Sequence, residues 1–147
     1  MEVSGKSGDI VRVTAAQDKE PIFTLPPIRR EIVPISLSQT VDWGLGLFGI
    51  PSLHRRSRGV GIKVAVCDTG IDLTHPDLAG AVADSKDFTA SRGGVQDMQG
   101  HGTHVAGTIA ARDNSLGVLG VAPDCQLLIG KVLGDDGSGT STAIANG

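Results

Sequence analysis

A chain of 147 residues, 39% hydrophobic and 20% charged, is long enough to bury one core and too apolar to be disordered throughout. Aromatic residues make up 3% and tyrosine is missing, so that core must be aliphatic. A net charge of −3 gives no nucleic-acid footprint, and no stretch reaches the roughly 20 apolar residues that a membrane helix needs.

Residues 1–38 hold four of the seven prolines (Pro21, Pro26, Pro27, Pro34) and read as an extended N-terminal arm or short pro-segment. IVRVT (10–14) suits a short strand, whereas PIFTLPPIRR (21–30) is expected to form no regular element. The first ten residues, MEVSGKSGDI, lack the basic start and apolar run of a signal peptide. If Met1 is the true start, a cytoplasmic location is expected. The two cysteines, Cys67 and Cys125, lie in apolar runs and are expected to be reduced, buried thiols.

From Gln39 the sequence turns globular, and residues 39–147 form the predicted domain. A short helix is expected near 44–50, and the basic run His54 to Arg58 reads as a solvated loop. Ile62 to Cys67 is a run apolar but for Lys63, stopped by Asp-Thr-Gly, and is read as a strand buried on both faces. THPDL (74–78) reads as a turn into a short helix, GAVADSKDF (80–88) as a second strand and SRGGVQDMQG (91–100) as a polar loop. Helical spacing runs from His101 to Ala111, with Val105, Ile109 and the alanines on one face. RDNSLGVLGVAPD (112–124) is a loop, CQLLIGKVL (125–133) another buried strand, GDDGSGT a glycine turn, and STAIANG the start of a helix. The alternation of strand and helix predicts an α/β fold with a parallel sheet.

Asp68 closes a buried strand, and sites in open parallel sheets gather outside the carboxyl ends of strands. Turn amides of Thr69 and Gly70 can hold such a carboxylate ionised. His101 stands in the first turn of a helix, whose N-terminus disfavours imidazolium, while a nearby aspartate favours it. Together they can keep a histidine neutral at rest yet able to take a proton, as a general base must. Taken alone, each has a plainer reading: a strand-ending turn aspartate, and a helix-end or surface histidine. His104, one turn on, is expected to face inward as packing. Zinc is disfavoured. Its candidate ligands are Cys67, His75, His101, His104 and Cys125. The helix histidines are spaced i, i+3 without an intervening Glu, and no C-x-x-C occurs.

VAVCDTGIDLTHPDL (64–78) and HGTHVAGTIAA (101–111), in this order and followed by NSLGVLGVAPDCQLLIGKVLGDDGSG (114–139), closely resemble the subtilisin-like serine peptidases. The resemblance runs from Gln39 to Gly147 and covers the N-terminal half of that family's catalytic domain. It implies a serine endopeptidase with an Asp-His-Ser triad. Asp68 matches the triad aspartate and His101 the triad histidine, while His104 matches a second, non-catalytic histidine. The family's nucleophile lies in a Gly-Thr-Ser-Met-Ala-like stretch far downstream, preceded by an oxyanion Asn. Ser141, in Gly-Thr-Ser-Thr-Ala, sits where the family has a helix start, so it reads as a capping residue. Asn146 matches a helix position. The expected fold is therefore an incomplete subtilisin-like sheet, inactive alone, whose partners are a peptide or protein substrate and the missing C-terminal half of the domain.

The resemblance also implies a structural calcium ion. Its ligands would be the side chains of Gln39, Asp77 and Asn114 and the main-chain carbonyls of Arg112, Leu116 and Val118, an oxygen set of the kind calcium takes. Substrate would pair with Gly137, Ser138 and Gly139, with Leu133 as a pocket wall. Two departures stand out. Gly130 replaces a branched apolar residue and is expected to leave a gap. Cys67 is expected to point away from the site, because adjacent strand residues face opposite sides. EIVPIS (31–36) bears a faint likeness to the cleft-blocking extension of intracellular relatives. The competing reading is a non-catalytic calcium-binding or interaction module on the same fold.

Overall fold

The computed structural model describes residues 20–26 and 38–147. IVRVT and EIVPIS lie outside the described residues. A parallel sheet of three strands forms the centre, in the order β2 (Lys63–Asp68), β4 (Gln126–Lys131), β3 (Val82–Asp87). Asp68 lies opposite Lys131 in the β2–β4 ladder, and Asp87 opposite Lys131 on the other side. A register shift between Val82 and Asp84 bends β3 at its start.

Helix α3 (His101–Ala110) packs on one face of this sheet. It buries Gly102, Ala106 and Ala110, spaced four apart, a small-residue stripe that lets helix and sheet approach closely. Val66, Leu127 and Ile129 from the sheet, and Ile71 and Leu78 from the β2–β3 connection, complete an aliphatic core. Glycine is required at 102, where a Cβ would come within 2.3 Å of the Gly70 carbonyl oxygen.

Several sequence expectations change. β2 is buried on one face only: Val66 and Asp68 are buried, but Lys63, Ala65 and Cys67 are exposed among the described residues. The apolar run reports strand propensity and not two-sided cover. Cys125 is buried as expected, whereas Cys67 is exposed, on the face opposite Asp68. Gly130 does leave room, since a Cβ there would sit 3.5 Å from Cys67 Sγ and from Phe88, ordinary contact distances. His104 is exposed, not inward, because the inward positions are those of the glycine-alanine stripe. The helix near 44–50 is two short ones, α1 (Trp43–Leu47) and α2 (Ile50–Leu53), separated at Gly49, which has φ +64°. Arg58 is not merely solvated, because it pairs with Asp124 at 2.7 Å and Asp113 at 3.2 Å.

The largest correction concerns PIFTLPPIRR. Ile22–Thr24 forms a strand, β1, paired antiparallel with β5 (Ser138–Thr140). The prolines flank the paired residues, so none of the ladder donors is lost. The glycine turn of the sequence reading is a turn over 134–137 that leads into β5, followed by α4 (Ser141–Asn146). Among the described residues no helix is long and apolar enough to cross a membrane.

Candidate active site

The ends of β2 and α3 bring together the two residues singled out from sequence. His101 Nδ1 lies 2.8 Å from Asp68 Oδ1 and 2.9 Å from Oδ2. The Asp68 side chain is 12% exposed and that of His101 36%, so the acid is enclosed and the imidazole reaches the surface. A carboxylate can only accept, so Nδ1 is the donor in this contact; in a neutral imidazole held this way the lone pair is on Nε2. The Thr69 amide donates to Asp68 Oδ1 at 2.7 Å, one of the two turn amides expected. The Asp68 carbonyl accepts from the amides of Val132 and Leu133 at 2.9 and 3.1 Å, which locks the strand end to the segment after β4.

The loop that delivers His101 is held by Asp97, which the sequence reading passed over as part of a polar loop. Asp97 is buried. Its Oδ1 accepts from Thr69 Oγ1 at 2.9 Å, Gln99 N at 3.1 Å and Gly100 N at 2.8 Å. Its Oδ2 accepts from Thr103 N at 2.8 Å and Thr103 Oγ1 at 2.7 Å. Burial pushes this carboxyl up, but the bonds from Thr103, Gly100 and Thr69 outweigh it and hold it below the ordinary carboxylate range. Thr69 Oγ1 also accepts the Gly102 amide at 2.9 Å, so Thr69 joins β2, the loop and α3. An Asp six residues before a helix-start Thr was the available signal.

The expected substrate-binding residues form an edge close to this pair in the chain's topology. Leu133 follows β4 and packs over Gly139, where a Cβ would meet Leu133 Cδ2 at 2.7 Å and the Val132 carbonyl at 2.4 Å. Gly137 has φ +78° and closes the turn. Ser138 Oγ and the Ser138 amide both donate to Asp136 Oδ1, at 2.7 and 2.9 Å, which closes the turn ahead of the Ser138–Thr140 strand. β1 pairs with this strand: Phe23 lies opposite Gly139, and the Leu25 amide donates to the Gly137 carbonyl at 3.0 Å. Glu20 anchors the end of β1 by accepting from Ser141 Oγ and the Thr142 amide. Ser141 is thus engaged by Glu20 and is not the helix cap. Thr140 is the cap, accepting from Ala143 N at 3.2 Å. Asn146 is on α4, as expected.

The six residues named for calcium converge after α3. Gln39 Nε2 donates to the carbonyls of Arg112 at 2.7 Å and Val118 at 3.2 Å. Asp77 is buried; its Oδ1 faces Asn114 Nδ2 at 3.3 Å, and its Oδ2 accepts from Val118 N at 3.0 Å. Leu116 N donates to Asn114 Oδ1 at 2.9 Å. At Gly117, φ is +52° and a Cβ would overlap Asp77 Oδ2 at 2.1 Å, so only glycine lets the loop close on this carboxylate. Carbonyls aimed together need a positive partner; here the Gln39 amide supplies it. Rotating the Gln39 and Asn114 amides would present oxygens instead. The donor set therefore fits a hard cation.

The residues weighed for zinc are not assembled. His75 Nδ1 accepts from Asp77 N at 3.2 Å, His104 is on the outer face of α3, Cys67 is on the opposite face of the sheet, and Cys125 is in the core. No group of three or more His, Cys, Asp or Glu is placed to hold a metal among the described residues.

Residues 59–147 match the model of the subtilase family. Subtilisin Savinase of Lederbergia lenta is 51% identical over 111 residues, which are 75% of this chain and 40% of that protein. M-protease of Shouchella clausii is 47% identical over 125 residues, 84% of this chain and 32% of that protein. The major intracellular serine protease of Bacillus subtilis is 54% identical over 110 residues, 71% of this chain and 34% of that protein. The chain thus spans 32% to 40% of the length of these three relatives.

Proposed function

We propose that this chain, which belongs to the subtilase family, supplies the acid and the base of a serine endopeptidase whose nucleophile comes from polypeptide outside these 147 residues. The observation that carries this reading is the contact of His101 Nδ1 with Asp68 at 2.8 and 2.9 Å. Asp68 holds the tautomer and stabilises the imidazolium as it forms. His101 Nε2 takes the proton of an attacking serine hydroxyl, and later returns it to the leaving amine. Oxyanion donors, like the serine, would come from outside the chain. Ser138 and Ser141 are committed to Asp136 and Glu20, which agrees with a nucleophile elsewhere.

Extended peptide would pair with Gly137, Ser138 and Gly139, with Leu133 as a side wall. The antiparallel β1–β5 ladder supports this, because the arm uses that edge as a substrate backbone would. The arm segment in the cleft is then Ile22–Thr24, with Leu25 and Pro26 following. Gln39, Asp77, Asn114 and the carbonyls of Arg112, Leu116 and Val118 would hold calcium. One carboxylate among neutral oxygens gives that ion a structural task, fixing the loop behind α3.

The test is a chimera in which residues 39–147 replace the matching stretch of M-protease. The chimera is expected to hydrolyse a peptide substrate. His101→Ala is expected to lower kcat by on the order of 10⁴-fold or more, a magnitude carried over from triad removal in a subtilisin. A chimera that keeps its activity without His101 would rule the assignment out.

A further inference from the structure

Lys131, the last residue of β4, is wholly buried. A lysine side chain almost never occupies such a place unless its ammonium is fully partnered. Here three acceptors meet its three protons. Nζ lies 2.5 Å from the Thr69 carbonyl, 3.2 Å from the Gln96 carbonyl and 3.0 Å from Asp135 Oδ1. Each acceptor belongs to a different part of the site. Thr69 directly follows Asp68 and donates its amide to the Asp68 carboxylate. Gln96 adjoins Asp97, whose carboxylate fixes the start of α3 below His101. Asp135 stands in the turn that leads into β5, the substrate edge.

From this geometry we infer that Lys131 is a positioning residue. It ties the peptide after Asp68, the loop before His101 and the turn before the substrate edge to one point, so that the Asp68–His101 contact depends on it. The inference rests on the active-site reading given above. Nothing in it requires Lys131 to touch substrate. Its ammonium supplies the only side chain that reaches all three segments among the described contacts. Asp97 performs the complementary task from the α3 side, through Thr69 Oγ1. The carbonyl of Thr69 would otherwise be buried without a cationic donor, and the loop at Gln96 would be held to the segment after β2 by its ladder bonds to Ile71 and by the bond from Thr69 Oγ1 to Asp97.

The test reads the bridging proton between His101 Nδ1 and Asp68 by proton NMR of the full 147-residue chain. In the unsubstituted protein it is expected as a resolved resonance downfield of the amides. Lys131→Met keeps the length of the side chain and removes the ammonium. It is expected to lose that resonance, or to speed its exchange with water at least about tenfold, as hydrogen bonds to the Thr69 and Gln96 carbonyls are lost. Asp135→Ala, at a half-exposed turn position, is expected to accelerate the exchange in the same direction. Asp135→Asn, which keeps an oxygen for Nζ, is expected to restore the slow exchange. If Lys131→Met does not fold, the two Asp135 variants decide. A wild-type exchange rate in Asp135→Ala, or in a folded Lys131→Met, would overturn the inference while leaving the Asp68–His101 pair intact. An unsubstituted chain without the bridging proton would contradict that pair itself, and this inference with it.

Discussion

Gly102 lies where α3 meets the end of β2, and its replacement by alanine has a calculable consequence. The new Cβ would sit 2.3 Å from the Gly70 carbonyl oxygen, 3.1 Å from the Gly70 nitrogen and 3.2 Å from Asp68 Cβ. The first two neighbours are backbone and cannot swing aside. Relief needs α3 to withdraw from β2 by about 1 Å to regain ordinary contact. Overpacking of this kind costs about 1–3 kcal/mol. An unhindered Gly→Ala change inside a helix would instead gain up to about 1 kcal/mol. Gly107, on the same helix, provides the control, because a Cβ there meets nothing within 4 Å. Urea unfolding of the two variants is the assay. Gly107→Ala is expected to be more stable than the parent, and Gly102→Ala less stable by about 2 kcal/mol, or several degrees in Tm. The same withdrawal lengthens the path from His101 to Asp68, so the bridging proton should exchange faster in Gly102→Ala only. If Gly102→Ala matched Gly107→Ala in stability and kept that proton, the close approach of α3 to β2 would not be what places the base.

Asp97 makes stability acid-sensitive. Its folded pKa lies below its unfolded value, so its contribution is full above the ordinary carboxylate range and is lost as pH falls through the lowered folded value. Asp97→Asn should lower stability at neutral pH by about 1–3 kcal/mol and flatten the acid limb of a stability-versus-pH curve; an unchanged acid limb would count against it. Added calcium is expected to raise Tm, and Asp77→Asn to abolish that increment, which for an ion at about 100 times its Kd is about 2.7 kcal/mol. A calcium-dependent shift that survives Asp77→Asn would place the ion elsewhere. Removal of residues 1–26 from a chimera that carries the arm should lower KM for a peptide substrate with little change in kcat, since the arm competes for the Ser138–Thr140 edge. An unchanged KM would mean that β1 leaves that edge when substrate arrives without measurable cost.

The strand and helix periods of 62–68, 101–110 and 126–131 were legible because each segment is long and bounded by Gly or Asp turn signals. The acid and base were legible only through local motifs, since Asp68 and His101 are 33 residues apart and their contact is made by the fold. What sequence hid was tertiary. A polar loop reading of 91–100 gave no hint that Asp97 is buried under five donors, because those donors come from Thr69, Gln99, Gly100 and Thr103. Lys131 passed unremarked within the expected buried strand 125–133, although a lone lysine inside LLIGKVL was itself a clue that acceptors must surround it. β1 was missed because the prolines around it argued against a regular element, while its partner strand lies more than a hundred residues away. His104 was misplaced: a stripe of Gly102, Ala106 and Ala110 faces the sheet, and 104, midway between 102 and 106, points away from it.

The most direct measurement is labelling by a fluorophosphonate, which reports a serine activated by its histidine. The 147-residue chain alone should remain unlabelled, its M-protease chimera should label at a serine contributed by the relative, and Asp68→Ala and His101→Ala in that chimera should not label at a measurable rate. Labelling of any serine within the 147-residue chain, or undiminished labelling of the chimera without His101, would contradict the assignment of Asp68 and His101 as an acid-base pair awaiting a nucleophile from elsewhere.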